Sequence, residues 1–132
     1  MITTNLIKKL RIQPGQRLLI LNAPEGYISE LGQLLEGAEV KQAQDGAFDF
    51  VQVFVKSIAE LEEHAPKAMK SVKYDGLLWI CYPKQSSKIK TDINRDSGWD
   101  VIQQAGLRPV TQVAIDDTWS ALRFRPAERV GS

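Results

Sequence analysis

Three hydrophobic segments at residues 17–22, 48–55 and 77–81 dominate the pattern of the chain. The last of them, LLWIC, follows an Asp-Gly pair and is soon ended by Pro83. Short, nearly continuous hydrophobic runs are typical of strands that are buried on both faces of a sheet. We therefore predict three buried strands, with residues 17–22 and 77–81 in central positions.

Between these segments, hydrophobic residues recur with a helical period. Residues 2–12 predict a short helix, and a second helix follows residue 27 and ends at Gly37. A third helix begins with a capping box formed by Ser57 and Glu60, and Pro66 predicts a kink or a restart within it. We therefore expect helices to alternate with the strands.

A fourth helix is predicted between the strand at 77–81 and the end of the chain. Thr91 or Asp92 would cap it, and Gly106 would end it. Its inward-facing residues would be Trp99, Ile102 and Ala105.

The remaining strands complete the predicted sheet. Residues 107–115 and 119–124 are separated by a short turn, so they must pair as an antiparallel hairpin. Residues 38–43 predict a short edge strand, and no helix separates it from the strand at 48–55. Either this edge strand is antiparallel or irregular, or the chain crosses the sheet by a loop. The alternating order otherwise predicts a three-layer α/β fold with a mainly parallel sheet.

Composition narrows the class of protein. The chain has 132 residues, a net charge of +1 and one cysteine. We expect a single domain spanning residues 1–132, with a flexible tail at 127–132. The balanced charge argues against nucleic-acid binding, and the hydrophobic runs are too short to cross a membrane. A single cysteine and an N-terminus unlike a secretory signal predict a cytoplasmic protein.

Five segments after Phe48 carry a resemblance to a known family: FVKS (54–57), LWI (78–80), YPK (82–84), KTD (90–92) and DDTWSALRF (116–124). They resemble segments of an uncharacterised bacterial family of short, methyltransferase-like Rossmann proteins. The resemblance implies the class I methyltransferase fold, in which a C-terminal hairpin follows a helix. The family has no assigned activity, so the resemblance implies a fold without specifying a reaction.

The loop after the first strand departs from the methyltransferase pattern. Methyltransferases carry a glycine-rich turn there, whereas residues 22–26 read NAPEG. Glu25 would also place a negative charge at the start of the following helix, where it would repel an anionic ligand. Asp45 is the one candidate for an acidic ribose partner. We therefore predict no cofactor, with S-adenosylmethionine as the alternative.

The loop that follows residues 77–81 is the predicted binding site, because ligands of open α/β sheets bind beyond the carboxyl ends of the strands. Its lysines and hydroxyl groups would attract a phosphate or a carboxylate. The candidate ligand-binding residues are Lys84, Ser86, Ser87, Lys88, Lys90, Thr91 and Asp92, with Trp99 and Trp119 lining the same pocket. The ordinary structural interpretation of such a loop is a solvated surface.

Other polar residues have simpler structural interpretations. The pair Asp116 and Asp117 fits a turn better than a metal site, and His64 has no second ligand at a metal-binding spacing. Cys81 is expected to be an inert buried thiol. Arg123 and Arg125 share one strand face, which forms either a polar outer surface or a basic strip for an acidic partner. No catalytic residue and no metal site is predicted.

Three functions are consistent with these features. We predict a non-catalytic Rossmann-like module that binds a small anion or a protein partner at the carboxyl edge of the sheet. The first alternative is a diverged S-adenosylmethionine-dependent enzyme. The second is a scaffold that forms a homo-oligomer through an unpaired end strand.

Overall fold

The structure, a computed structural model, describes residues 4–13, 16–34, 39–41, 48–94 and 98–130. Within them lies a six-stranded sheet in the order β2-β1-β3-β4-β6-β5. The strands are β1 (Arg17–Leu21), β2 (Glu39–Lys41), β3 (Phe48–Phe54), β4 (Val72–Pro83), β5 (Leu107–Ala114) and β6 (Trp119–Pro126). The first four are mutually parallel, and β6 is antiparallel to both β4 and β5. The predicted mainly parallel sheet with a C-terminal antiparallel hairpin is confirmed.

Helices pack on both faces of this sheet. They are α1 (Thr4–Lys9), α2 (Tyr27–Leu34), α3 (Ile58–Ser71) and α4 (Asp100–Gln104), and a short 3₁₀ turn, Ala127–Arg129, follows β6. Buried residues of α1 and α2 belong to one hydrophobic cluster, and buried residues of α3 and α4 belong to the other. The two clusters confirm the predicted three-layer α/β architecture.

The alternation of side chains along β1 explains how one short strand serves both clusters. Leu18 and Ile20 belong to the cluster beneath α1 and α2, whereas Leu19 and Leu21 belong to the cluster beneath α3. Successive side chains of a strand point to opposite faces, so a strand between two helical layers must be hydrophobic at every position. This requirement accounts for the uninterrupted run that the sequence shows.

The open question about the edge strand is answered by its pairing. β2 pairs parallel to β1, with Leu18 opposite Val40. β3 lies on the other side of β1, so the chain crosses β1 between residues 41 and 48. An antiparallel β2 is therefore excluded. The connection at 42–47, which contains the candidate ribose partner Asp45, lies outside the described residues, as does the helix end expected at Gly37.

β4 extends further than its hydrophobic run. It begins at Val72, and Asp75-Gly76, which was expected to precede the strand, lies within it. Phe48 of β3 lies opposite Val72 of β4, and Phe50 lies opposite Leu77. β4 therefore has extra residues here, which form a bulge. A Cβ atom at Gly76 would lie 2.9 Å from Val72 Cγ2 and 3.0 Å from the Lys73 carbonyl oxygen. The bulge therefore needs a glycine at this position.

Two helix starts differ from the prediction. At α3, the Glu60 amide donates to Ser57 Oγ at 3.2 Å as expected, but the Glu60 carboxylate accepts from the Lys56 amide at 3.1 Å instead of the Ser57 amide. α3 continues unbroken past Pro66, so the restart is not observed. α4 begins only at Asp100, so neither Thr91 nor Asp92 caps it.

The far edge of the sheet is formed by β5, whose residues are mostly exposed. Pro109 lies in this strand and has no amide to donate, and the register with β6 shifts between Pro109 and Thr111. Proline and bulges are features that discourage pairing with another strand. These features disfavour self-association through β5. Nothing in the structure tests self-association directly, so it stays a prediction.

The start of the expected tail contacts the sheet. The Ala127 amide donates to the Gly106 carbonyl at 2.8 Å, and Arg129 Nε lies 3.3 Å from Asp75 Oδ2. These contacts attach the residues that immediately follow β6.

Candidate functional site

The helices that follow two neighbouring parallel strands leave on opposite faces of the sheet. α2 follows β1 and packs on one face, whereas α3 follows β3 and packs on the other. β1 and β3 are adjacent, so the two connections diverge at their carboxyl ends. Such a point, where the connections switch faces, opens a crevice that commonly binds ligands in α/β proteins.

A cleft of about 620 Å³ occupies this position. Its lining comes from the loops after β1, β3 and β4, from the first turns of α3 and from the start of β6. The lining residues are Asn22, Ala23, Pro24, Glu25, Lys56, Glu60, Glu63, His64, Ile89 and Trp119. We call it the switch-point cleft. Its volume lies within the range of about 300–1,000 Å³ that is typical of small-molecule sites.

Asn22 holds the two sides of the switch-point cleft together. Its backbone has φ +57°, a left-handed conformation that asparagine tolerates better than most residues. Its side-chain amide donates to the Phe54 carbonyl at 2.7 Å and to Glu60 Oε1 at 3.3 Å. The loop after β1 is therefore fixed to the end of β3 and to the start of α3.

The charges of the switch-point cleft are mainly negative. Three carboxylates, those of Glu25, Glu60 and Glu63, line it together with one lysine, Lys56, and with His64. Like charges repel, so this balance disfavours phosphates and favours a ligand that carries positive charge or hydroxyl donors.

One wall of the switch-point cleft is aromatic. Trp119 is 7% exposed and packs edge-on against Phe54, with ring centroids 5.2 Å apart. Phe54 in turn packs against Tyr27 at 4.9 Å. Aromatic rings in such edge-to-face contacts have well-defined positions, so the wall is rigid and hydrophobic.

A buried polar chain lies behind this wall. The Tyr27 hydroxyl donates to Gln52 Oε1 at 2.8 Å, and Gln52 Nε2 donates to Cys81 Sγ at 3.2 Å. Burial is the main cause that raises the pKa of both the Tyr27 hydroxyl and the Cys81 thiol. Both groups therefore stay neutral, as expected of an inert buried thiol.

A second cavity, of about 610 Å³, lies further along the same edge of the sheet. It is lined by Tyr82, Lys84, Gln85, Ser86, Asn94, Gln112 and Ser120, and we call it the Lys84 recess. Lys84 supplies the only charge among these residues, and the others contribute hydroxyl or amide groups. The Lys84 recess therefore has the opposite charge preference to the switch-point cleft.

The loop residues predicted to bind a ligand do not all share one cavity. Lys84 and Ser86 line the Lys84 recess, whereas Lys88 and Lys90 are exposed and line neither cavity. Ser87 donates from its amide to the Lys84 carbonyl at 3.0 Å. A hydrogen bond between its own backbone groups therefore fixes part of the loop.

The last two candidate residues of the loop, Thr91 and Asp92, accept hydrogen bonds from backbone amides. Thr91 Oγ1 accepts from the Ile93 amide at 3.1 Å, which forms a local turn. Asp92 Oδ1 accepts from the Ile58 amide at 2.8 Å, at the start of α3. Both side chains therefore have structural roles in the loop.

Trp99 and Trp119 are placed on opposite faces of the sheet. Trp119 belongs to the cluster beneath α1 and α2, and Trp99 belongs to the cluster beneath α3 and α4. Trp99 packs against Tyr82 and Phe124 and donates from Nε1 to the Asn94 carbonyl at 2.8 Å. Trp119 lines the switch-point cleft and Trp99 lines neither cavity, so they do not form a common pocket.

The remaining candidates follow their structural interpretations. Asp116 Oδ1 accepts from the Thr118 and Trp119 amides, both at 2.8 Å, as a turn residue does. Arg125 forms two hydrogen bonds of 2.9 Å with Asp75, and Arg123 is 8% exposed, so this face is not an open basic strip.

Among the described residues, no three potential ligands meet in a metal-binding cluster. No helix of the described chain is long and hydrophobic enough to span a membrane.

The cleft residues that the sequence interpretation did not select lie directly after strands. Asn22 follows β1 and Lys56 follows β3 after one residue, so the strand-end rule that selected the Lys84 loop applies to them equally. Glu63 and His64 carry no such signal, because only the path of α3 places them on this crevice. Gln112 and Ser120 reach the Lys84 recess through the pairing of β5 with β6.

Comparison with known proteins finds similarity in structure alone. No protein-family model matches the chain, and no curated protein matches its sequence. An S-adenosylmethionine-dependent methyltransferase from Aquifex aeolicus is similar in structure, with a TM-score of 0.58 and 15% identity over 91% of this chain and 87% of that chain. A ribosomal protein L11 methylase from Lactobacillus delbrueckii subsp. bulgaricus gives a TM-score of 0.57 and 10% identity over 91% and 74% of the two chains.

A third similar structure is a putative sarcosine dimethylglycine methyltransferase from Galdieria sulphuraria. Its TM-score is 0.59 at 10% identity, and the match covers 96% of this chain and 83% of that chain. Identities this low show the shared fold and no more. They support the fold that the sequence resemblance implied, and the predicted absence of a cofactor gains no support from them. The chain therefore has a Rossmann-like α/β fold of the methyltransferase type.

Proposed function

We propose that this protein binds S-adenosylmethionine or S-adenosylhomocysteine in the switch-point cleft. The observation that carries the proposal is the crevice between β1 and β3, where α2 and α3 leave on opposite faces. The similarity of the fold to S-adenosylmethionine-dependent methyltransferases adds support. We propose binding and no reaction. S-adenosylmethionine is the alternative that the sequence analysis gave to a module without a cofactor.

The side chains of the cleft fit this class of ligand. S-adenosylmethionine carries a sulfonium cation, an ammonium group, one carboxylate and ribose hydroxyls, so its net charge is positive, and it has no phosphate. The carboxylates of Glu25 and Glu63 are suited to cations and hydroxyl donors. Trp119 and Ile89 supply hydrophobic surface for an adenine ring. The negative charge that argued against an anionic cofactor therefore does not argue against this one.

The loop after β1 would hold such a ligand differently from a glycine-rich turn. Gly26 has φ +84°, and a Cβ added there would meet no atom within 4 Å. The positive φ of the turn at the start of α2 therefore explains this glycine. Contact with a neighbouring atom does not, because there is room for a side chain. We expect side chains of the cleft, and not a close approach of the backbone, to provide most of the ligand contacts.

Calorimetric titration with the two adenosyl ligands tests the proposal. Wild-type protein should bind both and should melt a few degrees higher at saturating ligand, because a ligand of the native state stabilises it. Glu63→Gln should weaken S-adenosylmethionine binding by about fivefold, since one charge pair at an exposed site contributes up to about 1 kcal/mol. Binding of S-adenosylhomocysteine, which lacks the sulfonium charge, should change less.

Glu62→Gln is the matched control. Glu62 is the neighbouring residue of α3, it is exposed, and it does not line the switch-point cleft. This variant should bind both ligands like the wild type. Absence of heat and of any melting shift with both ligands at millimolar concentration would overturn the proposal. Equal losses in the two variants would show that net charge, and not the cleft, governs the interaction.

A further inference from the structure

We infer that the Lys84 recess is a second binding site and that it takes the oxyanion, a carboxylate or a phosphate, of a small ligand. The recess is separate from the switch-point cleft, and the two have no lining residue in common. The inference therefore goes beyond the proposed binding of an adenosyl ligand.

The backbone that carries the lysine is fixed on both sides. The Lys84 amide donates to the Thr118 carbonyl at 2.8 Å, and the Lys84 carbonyl accepts from the Ser87 amide at 3.0 Å. The first bond joins the loop after β4 to the turn before β6, and the second closes a turn within the loop. Lys84 is also partly buried, unlike Lys88 and Lys90. Lys84 therefore lines the recess from a backbone that is fixed in position.

The inner surface of the recess is polar although it lies on the sheet. Tyr82 and Ser120 are opposite each other on β4 and β6 and are 4% and 6% exposed. Gln112 Nε2 donates to the Tyr82 hydroxyl at 2.9 Å, which brings an amide from β5 to the same place. The recess therefore presents hydroxyl and amide groups on its inner surface, which is suited to a polar ligand.

The charge of the recess selects the sign of the ligand. Among the described residues that line the recess there is no carboxylate, whereas three carboxylates line the switch-point cleft. One ammonium group surrounded by hydroxyl and amide donors forms charge-assisted hydrogen bonds to an oxyanion. The loop between the cavities separates the two preferences, because Ile89 lines the cleft while Lys84 and Ser86 line the recess.

The experiment is an NMR titration of the isotope-labelled full chain with inorganic phosphate and, separately, with acetate, at constant ionic strength. The amide signals of Ser86, Gln112 and Ser120 should shift and saturate with at least one of the two anions. Lys84→Gln should weaken this binding by about tenfold, because it replaces a charge-assisted hydrogen bond with a neutral one. Lys84→Arg should retain most of it.

Lys88→Gln is the matched control, because Lys88 belongs to the same loop, is exposed and does not line the recess. It should bind the anion like the wild type. Ser120→Ala, which removes only a hydroxyl group, should also weaken binding. It replaces Lys84→Gln in the test if that variant is too unstable to measure. The relative response to phosphate and acetate identifies which oxyanion the recess prefers.

Three results would overturn the inference. They are the absence of saturable shifts with both anions, an equal loss of binding in Lys84→Gln and Lys88→Gln, and saturable shifts confined to the switch-point cleft. Adenosyl-ligand calorimetry on Lys84→Gln should match the wild type, because Lys84 does not line that cleft. A failure of one site is therefore distinguishable from a failure of the other.

Discussion

The carboxylate of Asp92 accepts a hydrogen bond of 2.8 Å from the amide of Ile58, the first residue of α3. The two residues are 34 positions apart, and the bond joins the loop after β4 to the start of the helix after β3. Ser57 Oγ satisfies another amide of the same helix turn. An acceptor with negative charge at a helix N-terminus is favourable both as a cap and through the helix dipole.

We expect Asp92→Ala to lower the free energy of unfolding by about 1 kcal/mol, the usual cost of losing a helix cap. Asp92→Asn keeps an acceptor and should cost less. Urea unfolding measures both. Asp117→Ala, at an exposed turn position, is the control and should stay within about 0.5 kcal/mol of the wild type. Equal stabilities for Asp92→Ala and the control would refute the capping role.

The left-handed backbone of Asn22 gives a second prediction. Asn22→Gly removes the bonds to Phe54 and Glu60 but tolerates φ +57°. Asn22→Ala removes the same bonds and adds steric strain of roughly 1 kcal/mol. Alanine should therefore be more destabilising than glycine in urea unfolding, contrary to their order in ordinary helices and strands. The opposite order would contradict the backbone conformation described for this loop.

The pair formed by Asp75 and Arg125 predicts a dependence of stability on pH. The hydrogen bonds from Arg125 lower the pKa of Asp75 from 3.8 to about 2. A carboxyl with a lowered pKa in the folded state contributes stability above its unfolded pKa, and this contribution is lost as the pH falls towards 2. Asp75→Asn removes the charge and should lower the melting temperature by a few degrees near neutral pH.

Asparagine is the suitable replacement because Asp75 has φ +56°, which asparagine tolerates. The difference in melting temperature between wild type and Asp75→Asn should shrink as the pH falls from about 4 to about 2, and thermal unfolding at several pH values measures it. Asp49 also has a lowered pKa, chiefly through its hydrogen bond with the Arg17 amide, and it is present in both proteins. A difference that is independent of pH would argue against the ion pair.

Cys81 should resist thiol reagents in the native protein. The side chain is fully buried, and burial raises the pKa of its thiol, whereas the reactive form is the exposed thiolate. We expect negligible labelling under native conditions and one thiol per chain after denaturation, as measured by absorbance with a chromogenic disulfide. Complete labelling of the native protein before any unfolding would show that this part of the sheet opens.

The acidic switch-point cleft should discriminate against phosphates. We expect S-adenosylhomocysteine to bind at least about tenfold more tightly than ADP or NAD, because each phosphate would face several carboxylates. The double substitution Glu25→Gln with Glu63→Gln should reduce this ratio. Calorimetry under identical salt conditions measures it. Tighter binding of ADP than of S-adenosylhomocysteine would mean that the cleft is organised for another class of ligand.

Most of the strands were predictable from the sequence because a strand between two helical layers must be hydrophobic at every position. Residues 17–22 and 77–81 carry that signal, and the hairpin after Gly106 follows from the short turn at Asp116 and Asp117. The start of α4 was not predictable in the same way. A threonine and an aspartate at 91 and 92 are typical of a helix cap, but their acceptors are used by a local turn and by α3.

The candidate site shows the same division. The α/β class, the hairpin and the edge of the sheet where polar loops gather could be predicted from the sequence, because they depend on periodicity and on short-range turns. Which polar residues share a cavity depends on how the chain folds in three dimensions. Strand order and the faces chosen by α2 and α3 placed Glu63 beside Asn22 and separated Trp99 from Trp119. Such placements depend on contacts between distant segments, which no local pattern of residues records.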